Sequence, residues 1–585
     1  MHPDCPTLIH VVRKRAADTP DAPAIIHEPS QRAAYELTYL ELWERANAVA
    51  AQLAETSERN DRVVLLFPSG PEFAQAFLGC LLAGRIAVPA AVPRNERALE
   101  RTVAIVRDSG ARLIVTLPSM LLKLEAAFHT VQLPSGAAPS VVAIDPEARA
   151  VGRDQVDCSA DDMAFLQYTS GSTANPRGVV VGHDNLMDNL GRSYYPFEFD
   201  KPAATMVNWL PAYHDMGLIG GLLEPLYSGC KTVLMSPSEF IQRPLKWLEL
   251  ITKHKGTISG GPNFAYDACV VRIPEREFEA LDLSSWRVAF NGSEPIRAQT
   301  LDRFAARFAR CGFDASAIFP CYGLAESTLM VTGRGAREYS RLTFDRNELK
   351  KGRATVSATE AGRILVGCGP PNEEHDLVIV NPQTKQRCAE TEVGEIWLSG
   401  PSICRGYWKR DEDTRAIFSA ELEGVADKRF LRTGDLGVMR DGQLYISGRL
   451  KNIVIIRGLN YACEDIEDLA QASHRAVTGS PGAAFGVEGA TGEELVIAQE
   501  INTAYITEFD RAEVTAAIQE SIVLHHGVRA RDVVLVEPRT LPRTTSGKLQ
   551  RHKARDLYAS GKLRVVADPD RSGVRGAPSR AQGEG

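Results

Sequence analysis

Leu166-Gln167-Tyr168-Thr169-Ser170-Gly171-Ser172-Thr173 joins the end of an apolar run to a loop with four hydroxyls in five residues. The side chains of Thr169, Ser170, Ser172 and Thr173, hinged on Gly171, can grip phosphate oxygens together with backbone N–H groups and without adding charge. Read alone, the segment is equally a Ser/Thr-rich turn. It is not a Walker loop. Gly171 to Gly178 reads Gly-Ser-Thr-Ala-Asn-Pro-Arg-Gly and lacks the Gly-Lys-Ser/Thr end that supplies a lysine and a magnesium ligand. Ordinary P-loop phosphoryl transfer is therefore disfavoured.

Around this loop the first 330 residues alternate short apolar runs with helical patterns. Arg62 to Phe67, then Glu72 to Ala83, then Ile86 to Val88 show the alternation, which predicts parallel strands with crossover helices. Leu301, Phe304, Ala305 and Phe308 fall at helical spacing, Gly312 is a stop, and Ala317-Ile318-Phe319 is a strand leading into Tyr322. From 339 to 361 the chain turns polar and weakly periodic, which marks an insertion. Glu395 to Ser399 and Leu444 to Ile446 are strands of a β-rich subdomain. After Gly448-Arg449-Leu450-Lys451, a strand at Ile453 to Ile456, helices near 464–472 and around Val514, Ile518 and Ile522, and a strand at Val533 to Val536 make a small α+β domain. The expected class is thus α/β, with a large N-terminal domain (1–447), a hinge (448–451), a C-terminal domain (452–566) and a disordered tail (567–585) poor in anything to bury. Repeats are not evident, and no segment resembles a carrier domain.

The 585 residues exceed what one hydrophobic core organises, so at least two domains are expected. A 44% hydrophobic and 24% charged composition is that of a soluble globular protein, and the net charge of -7 gives no footprint for nucleic acid. The longest nearly apolar segment, Phe77 to Val92, is broken by Arg85 and is too short to span a membrane, and the N-terminus has the wrong order for a secretory signal. A cytoplasmic protein is expected. The 11 cysteines include no C-x-x-C pair, and buried, reduced thiols are expected.

Three further segments complete a site. Pro320-Cys321-Tyr322-Gly323-Leu324-Ala325-Glu326-Ser327 sets an aromatic ring and a carboxylate four residues apart, able to stack a purine and reach a phosphate-bound magnesium. Phe430-Leu431-Arg432-Thr433-Gly434-Asp435 ends in a carboxylate that can accept from both hydroxyls of a ribose. Leu541-Pro542-Arg543-Thr544-Thr545-Ser546-Gly547-Lys548 carries one lysine on a glycine-containing loop near the end of the second domain. Singly, these read as a core tyrosine, a surface glutamate, a common turn and a solvated lysine.

In this order and at these separations the segments resemble the adenylate-forming superfamily of acyl and aryl ligases, luciferases and nonribosomal adenylation domains, over roughly residues 10–565. With Asn208-Trp209-Leu210-Pro211-Ala212-Tyr213-His214-Asp215-Met216-Gly217 and Phe290-Asn291-Gly292-Ser293-Glu294-Pro295, the chain looks like the fatty acyl-AMP ligase branch. Ala325, where many acyl-CoA ligases have threonine, favours that branch. The 339–361 insertion does too, since the branch carries an extra segment there that hampers the movement needed for coenzyme A transfer.

The resemblance implies that a fatty carboxylate attacks the α-phosphate of Mg-ATP, giving acyl-adenylate and pyrophosphate, and that the acyl group then passes to the thiol of an acyl carrier protein or a polyketide or nonribosomal synthase in trans. By motif position Thr169, Ser170, Gly171, Ser172 and Thr173 grip phosphates. Ser293, Tyr322 and Gly323 border the adenine, and Glu326 holds Mg2+. Asp435 binds the ribose, and Arg449 supports ribose or phosphate. Lys548 bridges carboxylate and α-phosphate, His214 lies where the two meet, and Lys451 is the hinge. Ala174 and Arg177 depart from the usual glycine and lysine, and Cys463 stands where proline is frequent. An acyl-CoA synthetase sharing the same site, and a catalytically silent acyl or nucleotide sensor, are the rival readings. Acyl chain length is not legible, because Trp209, Phe264 and Tyr266 serve a tunnel or a core equally.

Overall fold

The structure is a computed structural model and describes residues 5–30, 33–133, 136–150, 158–169, 176–333, 339–359, 362–489, 492–544 and 548–566. The tail 567–585, expected to be disordered, lies outside the described residues. The chain folds as two compact units. The first comprises Met1–Phe344, Ala354–Ala358 and Ile364–Ser447, and the second comprises Asp345–Arg353, Thr359–Arg363 and the chain from Gly448 onward.

In the first unit the short apolar runs become buried strands, and the α/β expectation holds. One sheet runs Ser140–Ala143, Leu113–Thr116, Arg62–Leu66, Ile86–Ala90, Met163–Tyr168, Gly178–Gly182, all neighbours parallel except the last pair. A second runs Ile318–Pro320, Val288–Asn291, Ile258–Gly261, Thr205–Asn208, Lys231–Leu234, Pro23–His27, Tyr35–Thr38, again parallel but for its last pair. Four of the motif loops leave the carboxyl ends of strands in these two sheets, which is where open α/β sheets place ligands. An antiparallel sheet of Asp376–Val380, Gly394–Ser399, Leu431–Arg440 and Gln443–Arg449 supplies the β-rich part.

Helices pack where their apolar stripes dictate. Helix Ala298–Phe308 buries Leu301, Phe304 and Phe308 at helical spacing, and Phe304 meets Trp286 and Phe313 edge-on. Burying one such ring stabilises the unit by about 2–3 kcal/mol. Helix Tyr39–Thr56 opens on a reciprocal cap between Thr38 and Glu41. It lies so close to helix Pro71–Leu82 that a Cβ at Gly79 would sit 2.6 Å from that of Val49.

The second unit pairs Ile453–Ile456 with Leu459–Ala462 and orders Gly482–Gly489, Gly492–Glu500 and Asp532–Val536 in one sheet. Helices Cys463–Ala472 and Arg511–His526 close its core through Ile466, Val514, Ile518 and Ile522. The polar stretch read as an insertion is not featureless. It holds strand Arg341–Phe344 and helix Arg346–Lys350, whose start is capped by the Asp345 carboxylate. That helix and Arg363 belong with the second unit, because Asp465, buried there, pairs with Arg346 and with Arg363 at 3.6 Å. Lys350 donates to the carbonyl of His526 at 2.9 Å and lies over the Tyr461 ring.

His526 is buried beside Asp465 and the cations of Lys350, Arg346 and Arg363. Burial first, and those cations second, push its imidazole down to about 4, against the pull of Asp465. As pH falls from about 6.5, an ordinary histidine in the unfolded chain takes up a proton that the native one refuses, so stability drops through this window down to about 4. Thermal unfolding at pH 7 and pH 5 is expected to show a smaller loss for His526→Gln than for the parent chain. His183, similarly depressed in the first unit, contributes equally to both. Identical pH slopes would contradict the account.

Candidate functional site

The opening motif forms an antiparallel hairpin in which Tyr168 stands opposite Gly178. Glycine is needed at 178, because a Cβ would lie 2.9 Å from the Tyr168 ring. Thr169 stands at the loop entrance. Ser170, Gly171, Ser172 and Thr173, with Ala174, lie outside the described residues. Both ends of the loop are held: Arg101 donates to the Thr169 carbonyl at 3.2 Å and Arg410 to that of Pro176 at 3.3 Å. Asp108 accepts from Arg410 at 2.8 Å and from the Tyr168 hydroxyl at 2.7 Å. These anchors are far from the loop in sequence, and no spacing signal marks them.

The Gln167 amide donates to the Tyr213 carbonyl at 3.0 Å, joining the hairpin to the loop after strand Thr205–Asn208. There the Asn208 side chain accepts from Leu210 N–H and donates to the Gly217 carbonyl. A π-helix, Met216–Leu223, follows, a rare conformation frequent at functional sites. Gly217 and Gly221 pack directly on Pro211 and Asn208, leaving no room for a side chain. Asp215 accepts from Met216 N–H and lies 2.6 Å from His214 Nδ1. With Nδ1 engaged, His214 has Nε2 for any further partner.

At the edge of the seven-stranded sheet, Cys321 N–H bonds to the Asn291 carbonyl at 2.9 Å, so the Asn291-Gly292-Ser293 and Cys321-Tyr322-Gly323 turns lie side by side. Ser293 has a left-handed φ of 72°, rare for a residue with a side chain and frequent at ligand turns. Glu294 accepts from Phe264 N–H, in the first turn of the earlier helix Asn263–Arg272, at 2.6 Å. Tyr322 and Asp435, 113 residues apart, are joined by a hydrogen bond from the phenol to Oδ2 at 2.8 Å. Asp435 is buried, and Gly434 N–H donates to the buried Glu395, which also pairs with Arg432. The Thr-Gly-Asp turn is thus fixed from beneath.

Glu326 gains a partner the sequence did not announce. Tyr407 donates to its Oε1 at 2.8 Å, and burial beside that carboxylate pushes the phenol pKa up. Residues 404–408 reach this place by running along strand Gly178–Gly182, with Val180 N–H on the Gly406 carbonyl and Trp408 N–H on that of Gly178. Arg177 lies over the Tyr407 ring, 5.4 Å from its centroid. Its planar group thus serves a stacking role that lysine fills less well. Gly323 backs onto the Leu329 carbonyl oxygen, and a Cβ there would overlap it. Gly323→Ala is expected to displace Tyr322, costing about 1–3 kcal/mol of stability and weakening nucleotide binding. Calorimetric melting and nucleotide titration of the variant check this, and a parent-like result in both would refute it.

Among the described residues no group of three or more His, Cys, Asp or Glu is arranged to hold a metal. Magnesium suits what is present, since it is commonly held by one or two carboxylates with phosphates and water completing its shell. Glu326 offers one carboxylate, steadied at one oxygen by Tyr407. Of the residues considered for an acyl tunnel, Tyr266 is core, its hydroxyl spent on the Phe290 carbonyl at 2.8 Å. Trp209 stacks on Phe240, with Phe264 edge-on.

The second unit carries Arg449, Lys451 and Lys548. Arg449 ends strand Gln443–Arg449, and Lys451 is exposed in the short turn Leu450–Asn452. Residues 545–547 lie outside the described residues, and on either side of them Thr544 N–H bonds to the Lys548 carbonyl at 2.7 Å and Lys548 N–H to Thr544 Oγ1 at 3.0 Å. Three residues on, Arg551 makes two bonds to the buried Glu467, at 2.7 and 2.6 Å.

The sequence profile described as AMP-binding enzyme matches residues 12–408, and that of the AMP domain of Disco-interacting protein 2-like proteins matches 451–568. The chain is 38% identical to the medium-chain-fatty-acid–[acyl-carrier-protein] ligase JamA of Moorena producens, over 96% of each chain. It is 37% identical to the long-chain-fatty-acid–AMP ligase FadD26 of Mycobacterium marinum, over 90% of this chain and 92% of that one. A fatty acyl-adenylate ligase from L. pneumophila, solved with acyl adenylate and pyrophosphate, superposes with a TM-score of 0.72 at 36% identity, covering 96% and 97% of the two chains.

Proposed function

From the premise that this chain belongs to the AMP-binding enzyme family, in its fatty acyl-AMP ligase branch, we propose the reaction and the residues that serve it. The chain activates a fatty acid with ATP to acyl-adenylate and passes the acyl group to an acyl carrier protein. A carboxylate oxygen attacks the α-phosphorus as the bond to the β-phosphate breaks and pyrophosphate leaves. The carrier's pantetheine sulfur then attacks the acyl carbonyl, its proton goes to solvent, and AMP leaves. No enzyme nucleophile is required, so catalysis rests on alignment and on neutralising charge.

The observation that supports the assignment of roles is the Tyr322–Asp435 hydrogen bond, which brings together two motifs 113 residues apart. Asp435 takes the ribose hydroxyls, exchanging its bond from Tyr322 for theirs, and Tyr322 with Gly323 and Ser293 flanks the adenine. Glu326 would hold Mg2+, which would supply positive charge to offset that of the phosphates. Thr169 and the hydroxyls that follow it hold the phosphates, and His214 presents Nε2 to the substrate carboxylate. Arg449 and Lys548 add positive charge from the second unit, and Lys451 is the pivot about which that unit turns.

Mass spectrometry of products from a ladder of fatty acids with Mg-ATP, with and without holo-carrier protein or coenzyme A, tests this. Acyl-adenylate in every productive lane and acyl-carrier in the complete one are expected. Acyl-CoA formed as readily as acyl-carrier would reassign the acceptor, and an absence of pyrophosphate would remove the function.

A further inference from the structure

The short turn Ala325–Ser327, which carries Glu326, is followed by a backbone conformation that few side chains adopt. Thr328 has φ 63° and ψ -68°, and Leu329 N–H bonds to the Ser327 carbonyl, two residues back, at 2.7 Å. This is a γ-turn with positive φ at its centre, the strained form of that turn, and a β-branched residue there is an outlier. Two clamps hold it. From one side Thr328, fully buried, donates from Oγ1 to the Ser402 carbonyl at 2.7 Å, and Ser402 is fixed in turn by its own hydroxyl on Asp188 at 2.5 Å. From the other, the buried Asn189 of helix His183–Ser193 donates to the carbonyls of Ser327 at 3.4 Å and Met330 at 3.0 Å and accepts from Met330 N–H at 3.1 Å. Beyond Ser402, Cys404 N–H bonds to the Glu326 carbonyl at 2.9 Å, and Tyr407 donates to the Glu326 carboxylate. Segment 402–407 thus meets Glu326 at backbone and side chain, and the Thr328 hydroxyl pins that segment to the turn.

Glycine takes such angles freely. Threonine takes them under strain, and what it adds is the hydroxyl on Ser402. Strained residues persist where the surroundings over-determine them, and they gather at active sites. Resting on the reading of Glu326 as the carboxylate that would hold Mg2+, we infer that Thr328 is a positioning residue for that carboxylate. Its hydroxyl keeps the γ-turn in the strained form, and the strained form sets the direction in which Glu326 projects toward Tyr407. Without the hydroxyl the Ser402 carbonyl loses a buried donor, the turn relaxes toward negative φ, and the carboxylate leaves the place where Tyr407 and a metal would meet it. Asn189, on the opposite side, steadies the same turn.

The test uses the full chain. Thr328→Val keeps the branched shape and removes the hydroxyl, whereas Thr328→Ser keeps the hydroxyl. For Thr328→Val the half-saturating magnesium concentration for pyrophosphate release is expected to rise about 5-fold, with the rate at saturating magnesium near the parent's. Thr328→Ser is expected to stay near the parent throughout. A merely structural lesion lowers the rate alike at every magnesium concentration. Hydrogen exchange without metal or nucleotide gives a readout besides activity. The Leu329 and Cys404 amides are expected to exchange slowly in the parent and in Thr328→Ser, and about 5-fold faster in Thr328→Val. The parent's protection needs no variant and so is informative even where Thr328→Val folds poorly. An unmoved magnesium curve or parent-like exchange in Thr328→Val, a serine variant as impaired as the valine, a loss equal at all magnesium concentrations, or fast exchange of both amides in the parent would each overturn the role. If Glu326→Ala leaves the magnesium dependence unchanged, the metal reading of Glu326 falls instead, and exchange of the two amides in Thr328→Val still decides whether Thr328 holds the turn.

Discussion

Lys548→Ala is expected to cut acyl-adenylate formation by about 10²–10³-fold, the scale seen when one preorganised electrostatic group is removed from a transition state. The lysine has no counterpart in the opening phosphate loop, which lacks the Walker lysine, so nothing nearby in sequence substitutes for its charge. Transfer from supplied acyl-adenylate to holo-carrier should continue near the parental rate, because that half-reaction breaks no phosphoanhydride bond. Pyrophosphate release and carrier acylation, followed in parallel on one preparation, separate the two. Equal loss in both assays would mean that the variant has lost its fold or that Lys548 serves another step. Lys548→Arg restores charge without the point geometry and should recover only part of the adenylation rate.

Glu326→Ala is the second large effect. The half-saturating magnesium concentration for pyrophosphate release should rise about 10–100-fold, with activity partly regained at high magnesium. Tyr407→Phe removes only the hydroxyl that steadies Oε1 at 2.8 Å, so it should shift the same curve in the same direction by about 5-fold, the worth of roughly 1 kcal/mol. Binding of Mn2+ in the presence of a non-hydrolysable ATP analogue, followed by electron spin resonance, gives a readout independent of turnover. If Glu326→Ala binds the ion as the parent does, the carboxylate is structural.

Much of this was legible because the deciding signals are local. Parallel strands buried on both faces read as short apolar runs, and Arg62–Leu66, Ile86–Ala90 and Asp532–Val536 stand where such runs stood. The Ala298–Phe308 helix follows from four apolar residues at its spacing. What the sequence hid is non-local. Tyr407 meets Glu326 across 81 positions, and Arg101 and Arg410, the latter bonded to Asp108, hold Thr169 and Pro176 at the two ends of the hydroxyl-rich loop from two other parts of the chain. The five-residue helix Arg346–Lys350 is too short to show a period, and its packing is set by Asp465 and His526, more than 100 residues away. Its one local mark is Asp345 at the cap. The π-helix Met216–Leu223 was equally silent, since its glycines fit close backbone approaches that only the folded loop creates.

The helix 346–350 and Arg363 also define what counts as a transplantable module. A C-terminal piece cut at Gly448, the natural choice for chimeras or for expressing the second unit by itself, would leave Asp465 buried without Arg346 and Arg363, and the His526 carbonyl without Lys350. Stranding a buried carboxylate in this way typically costs several kcal/mol. Exchange of the second unit among relatives therefore calls for a graft of 345–353 and 359–363 together with 448–566, moved as one piece of inheritance although the chain writes it in three.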